Sequence, residues 1–126
     1  MSFVRSAPLF ALLHLVACTD PVIGRWQMEP VYAVFDGIRC DFEGYMIVGE
    51  QLRATWDQQI ACENGYEGSG SWAGPVSPTE GDITYILDLE FQDGDEDLTL
   101  DCERLADDTL LLCDDRDSTD IFRFTR

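Results

Sequence analysis

Apolar and polar residues alternate along most of this chain with a period of two, which places successive side chains on opposite faces of an extended strand. Val22, Gly24, Trp26 and Met28 share one face of an expected first strand. The clearest strand lies later, where Ile83, Tyr85, Leu87, Leu89 and Phe91 point one way and Thr84, Ile86, Asp88 and Glu90 the other. Leu98, Leu100 and Cys102 then alternate with Thr99, Asp101 and Glu103, and the last strand, over residues 120–126, carries Phe122, Phe124 and Arg126 on one face. No long stretch shows the 3.6-residue period of an amphipathic helix.

The breaks in this alternation are turn signals. Asp36-Gly37 and Asn64-Gly65 each separate two strand-like runs, and these residue types tolerate the positive φ of a two-residue type I′ hairpin. Gly49-Glu50 is a weaker signal of type II′. Residues 74–81 hold two prolines and two glycines and are expected to form a loop. An acidic tip, Asp93-Gly94-Asp95-Glu96, and a turn at Ala106-Asp107-Asp108 complete the set. Eight to ten short strands joined this way predict an all-β fold, an antiparallel meander closing into a small up-and-down barrel, with a β-sandwich as the alternative.

The amino end departs from this pattern. Residues 1–17 have one charge, Arg5, then an apolar run from Ala7 to Ala17, the layout of an export signal. The run is shorter than the roughly 20 apolar residues that a membrane-spanning helix needs. Leu15-Val16-Ala17-Cys18 resembles the lipobox of bacterial lipoproteins. That resemblance implies removal of residues 1–17 and acylation of Cys18, with palmitate or a similar chain, as a lipid anchor in the cell envelope. Thr19 follows the cysteine and Asp20 stands one place beyond the family's inner-membrane retention position, which implies the outer membrane. The expected division is a signal peptide over 1–17, a short lipidated tether over 18–21 and one domain over 22–126.

Composition sharpens the export reading. The 126 residues carry 25 carboxylates, eight Lys or Arg and a net charge of −17, and loss of Arg5 would take this to −18. Such a surface repels nucleic acid and favours cationic partners, so a cationic envelope protein is one candidate partner. An apolar share of 45% with 14 aromatics predicts a folded domain rather than a disordered acidic chain. Beyond Cys18, four cysteines remain, and an oxidising compartment would pair them. If Leu105 faces Leu110 across the Ala106–Asp108 turn, Cys102 falls opposite Cys113, which leaves Cys40 to pair with Cys62.

Gly24-Arg25-Trp26, Gly70-Ser71-Trp72 and an arginine ending the last strand are similar to the pattern of lipocalin-like domains in small bacterial lipoproteins. The resemblance implies that Gly24, Trp26 and Arg126 close one end of the barrel, with Arg123 in reserve for the arginine. It also implies a small apolar or amphipathic ligand, taken up from the other end. Gly68 and Gly70, flanked by Tyr66 and Trp72, leave an inward face without side chains, so these four with Tyr85 form the expected pocket. Catalysis and cofactors are not expected. The single histidine, His14, lies in the segment to be removed and there is no lysine, which leaves no His-based nucleophile pair or zinc site and no Schiff-base lysine. The Asp93–Asp97 run begins like an EF-hand loop, but Leu98 replaces the required glycine and Arg104 the bidentate glutamate, so a solvated hairpin tip is the expectation.

Overall fold

The structure, a computed structural model, describes residues 20–79 and 83–126. The signal segment and Cys18 lie outside the described residues. Nine strands follow in chain order: β1 (Gly24–Met28), β2 (Val31–Phe35), β3 (Ile38–Val48), β4 (Arg53–Cys62), β5 (Glu67–Pro78), β6 (Thr84–Phe91), β7 (Asp97–Leu105), β8 (Leu110–Asp115) and β9 (Ile121–Thr125). From β2 onward each strand pairs antiparallel with the next, and β1 pairs with both β3 and β9. The result is an eight-stranded closed barrel, β1 with β3–β9, plus β2 as an extra strand along one half of β3. The expected meander barrel is therefore the fold, and the sandwich is not.

The alternation works because each strand has one face turned inward. Trp26, Met28, Met46, Trp56, Leu87 and Phe124 are all buried. At 126 residues the chain has room for one core of this kind, and it fills with the side chains that the period-two pattern selects. Ile83 is an exception, 43% exposed and just ahead of β6.

Both disulfides join directly opposed residues on neighbouring strands. Cys40 faces Cys62 across β3–β4 and Cys102 faces Cys113 across β7–β8, each pair with Cα atoms 4.0 Å apart. Leu105 opposes Leu110, the register that brings Cys102 to Cys113.

The turns differ more from expectation. Asp36 and Gly37 both take positive φ, as a type I′ turn requires. At the β4–β5 turn only Gly65 does so, while Asn64 keeps negative φ and accepts a hydrogen bond from the Tyr66 N–H at 3.0 Å. After Gly49-Glu50 the positive φ falls on Leu52, not on Gly49. Leu52 packs against the core, a contact that offsets the cost of a left-handed conformation.

Residues 74–81, expected as a loop, belong largely to β5, which runs through to Pro78; Glu80 and Gly81 lie outside the described residues. The β5–β6 ladder is interrupted at Gly74 and Pro75 and resumes at Val76↔Leu87. A Cβ on Gly74 would stand 1.7 Å from the Asp88 carbonyl oxygen. Glycine here lets two backbones cross closely at a barrel corner, so the residues that look like strand breakers serve to bend a strand.

A second bend shapes the molecule more. Gln27 faces Tyr45, but Val31 faces Phe42, so three residues (Met28, Glu29, Pro30) oppose two (Glu43, Gly44). This is a β-bulge placed at a proline, which has no N–H to give to β3. The Gln27 side-chain amide donates to the Gly44 carbonyl at 2.8 Å within the irregular stretch. Before the bulge the chain follows β9, through Met28↔Phe124 and a Glu29 N–H to Arg123 carbonyl bond of 2.7 Å. After it, β2 continues along β3 alone and leaves the start of β9. The wall is split at that end.

Candidate functional site

In a meander, alternate turns gather at one end. The turns after β3, β5 and β7 lie at the end where β1 begins and β9 finishes; those after β2, β4, β6 and β8 lie at the other. The first end is closed. Trp26 is wholly buried there, and its indole N–H donates to the Val22 carbonyl at 2.8 Å. The Arg126 guanidinium lies 4.1 Å above the indole ring. It donates to the carbonyls of Ile23 (3.1 Å), Pro21 (2.5 Å) and Asp108 (2.7 Å). Gly24, at φ +138°, leaves the room for it, since a Cβ would stand 3.3 Å from Nη1. Arg123 sits elsewhere, paired with Glu29 at 2.9 Å.

Tyr85 belongs to this closed end, not to a pocket beside Trp72. It faces Pro78 on β5, whereas Trp72 faces Phe91. Six residues of strand separate the two positions, roughly 20 Å. The Tyr85 hydroxyl donates to Asp20 Oδ1 at 2.9 Å and accepts from Arg104 Nε at 3.2 Å. Arg104 also pairs with Asp108, whose turn (Ala106, Asp107, Asp108) has positive φ throughout. Burial raises the Tyr85 pKa; the Arg104 bond opposes this and Asp20 adds to it. Burial likewise lowers the Arg126 pKa, and the nearby Arg104 charge adds to that effect.

The other end is open. A recess of about 450 Å³ reaches inward there, with Phe42, Trp56, Trp72, Leu98 and Phe122 among its walls and Met28 at its base. It opens where β2 leaves β9, so Val31, Ala33 and Phe35 of β2 form one lip. Glu96, Asp97, Asp115 and Asp120 form the opposite lip. Trp56 is wholly buried and meets Phe122 and Phe124 edge to face, at 4.9 and 5.2 Å between centroids. Its indole N–H has no acceptor among the described residues.

Of the five residues expected to form the pocket, only Trp72 lines this recess. The space over Gly70 is taken by Phe91, since a Cβ there would lie 2.7 Å from the Phe91 ring, and Phe91 packs against Trp72 at 5.1 Å. Tyr66 is 59% exposed and folds its own ring over Gly68. Missing side chains on β5 were filled by neighbours, as close packing demands. The recess comes instead from the diverging strands at Pro30. A larger hollow, about 630 Å³, lies beside outward-facing Asp41, Glu43, Gln59 and Ser69. Its walls mix these polar groups with Pro30, Phe42, Ile60 and Ala61 and include no tryptophan, which makes it a poorer site for an apolar molecule than the aromatic recess.

Phe42, Ala33 and the acidic lip were not among the residues expected to form the pocket. Glu29-Pro30 between two strand patterns was the available signal. Among the described residues no group of three or more His, Cys, Asp or Glu side chains is arranged to hold a metal ion. No family model matches the chain, and no curated protein or solved structure matches it significantly.

Proposed function

We propose that this chain is an exported, lipid-anchored binding protein of the cell envelope that holds a small apolar or amphipathic molecule at the open end of its barrel. The observation that carries this reading is the aromatic recess of about 450 Å³, a size within the roughly 300–1,000 Å³ of small-molecule sites. The lipobox-like Leu15–Cys18 and the two cross-strand disulfides favour an exported chain.

The anchor and the recess then lie at opposite ends. Asp20 and Pro21 are tied to the closed end by Tyr85 and Arg126, and only Thr19 separates Asp20 from Cys18. With so short a tether, the closed end faces the bilayer and the recess faces away from it.

Titration of the purified chain with an uncharged fluorophore such as N-phenyl-1-naphthylamine tests the binding reading. Saturable enhancement that Ala33→Phe abolishes is expected. Absence of saturable enhancement would sink the reading and favour a solid acidic module for a cationic protein. The anchor is tested separately, because Cys18→Ser should lose its membrane partition.

A further inference from the structure

The recess has one lip of each kind, and the difference says what should enter it. Its β2 lip is mostly apolar, with Val31, Ala33 and Phe35, and also holds Tyr32, whose ring is covered by Arg39, itself paired with Asp41. The facing lip presents Glu96, Asp97, Asp115 and Asp120, and among the described residues none of these four is in an ion pair. The four turns at this end, over 36–37, 63–66, 92–96 and 116–120, carry seven carboxylates and one arginine. That arginine, Arg116, is engaged by Asp101 at 2.7 Å. Behind the lips the walls are aromatic, and the buried Trp56 N–H leaves the floor one acceptor short. Native structures leave few such donors unpaired, and a water, or an oxygen carried on a ligand's apolar body, would answer this one.

We infer that the ligand is a cationic amphiphile, a small molecule with an ammonium or similar head on an apolar body. This rests on the open-end binding reading above. The apolar body lies among Phe42, Trp72, Leu98 and Phe122, and the head sits between the Asp97 and Asp120 carboxylates. An anionic amphiphile of the same length would bring its charge against the same carboxylates and be rejected.

Three probes with the same ten-carbon tail separate these cases: decyltrimethylammonium, uncharged decyl glucoside and anionic decyl sulfate. Each is used below its micelle concentration to displace the uncharged fluorophore from the purified chain. The cationic probe should compete about tenfold more tightly than the neutral one, the anionic probe more weakly than either, and the cationic advantage should shrink in high salt. Asp97→Asn combined with Asp120→Asn should cut that advantage to about twofold while leaving decyl glucoside unchanged. Ala33→Phe, which narrows the recess without touching a carboxylate and so takes up no fluorophore, should show no direct binding of any of the three by isothermal titration calorimetry. Equal competition by cationic and neutral probes would overturn the charge preference while leaving the binding reading intact. Cationic binding that survives Ala33→Phe would also overturn it, since that is adsorption to an acidic surface. Failure of the fluorophore itself to bind would remove both.

Discussion

The closed and open ends of the barrel are both built on tryptophan, but they differ in how the polar groups around it are answered. At the closed end the Trp26 N–H has the Val22 carbonyl, its ring has Arg126, and Arg126 has three carbonyls. Tyr85, Asp20, Arg104 and Asp108 extend the same network. At the open end the Trp56 N–H lacks an acceptor among the described residues, and carboxylates stand on the lip without counter-ions. A satisfied network makes an end rigid, whereas one that is incomplete is where a ligand can add something. Under the proposed function, the contrast leaves structure to one end and ligand binding to the other.

Substitution should separate the two. Trp26→Ala is expected to have the largest effect, a loss of about 3–5 kcal/mol, because it empties a fully buried site and frees the arginine above it; urea unfolding gives the value. Arg126→Met keeps much of the bulk but loses three hydrogen bonds and the cation–π contact, and should cost about 1–3 kcal/mol. A midpoint unchanged by Arg126→Met would mean that the closed end does not depend on its arginine. At the open end the expectation reverses. Ala33→Phe lies on the edge strand and should change stability by no more than about 1 kcal/mol, yet block uptake of the fluorophore.

A smaller effect distinguishes the ends by pH. Burial raises the Tyr85 pKa above its ordinary 10.0, so the folded chain holds this proton more tightly than the unfolded chain. The resulting stability is fully present below pH 10 and is lost as pH rises beyond it. Tyr85→Phe should flatten the alkaline limb of the stability curve, measured by urea unfolding at a series of pH values. At the surface, the Arg116 hydrogen bond lowers the Asp101 pKa below 3.8, a contribution that is present above pH 3.8 and fades as pH falls through the lowered value.

The barrel was readable in the sequence because its cause is local. Period-two alternation decides which face of each strand is buried, and a turn once placed fixes the register, which is how Cys102 finds Cys113. The Gly-x-Trp of β1 and the terminal Arg126 are also visible in the sequence, where only the resemblance links them; in the structure Arg126 stacks on Trp26. The site was harder to read because its causes are non-local. Gly70 looks like a vacancy on its own strand, but Phe91 from the next strand occupies it. Tyr85 and Trp72 both point inward, but their heights in the barrel depend on strand stagger. Gly74 and Pro75 look like a loop until the close crossing with Asp88 is seen. The recess itself follows from β1 pairing with two strands and Pro30 ending one of those pairings, a consequence that no single stretch of sequence contains.

The division of labour between the ends can be tested in one experiment, because each of the three tryptophans contributes one indole N–H resonance to a proton–nitrogen correlation spectrum. Trp26 lies at the closed end, and Trp56 and Trp72 line the recess. Titration with decyltrimethylammonium should shift the Trp56 and Trp72 signals together and saturably while Trp26 stays fixed. Movement of Trp26 with Trp56 and Trp72 unmoved, or no saturable shift in any of the three, would contradict an open-end binding site.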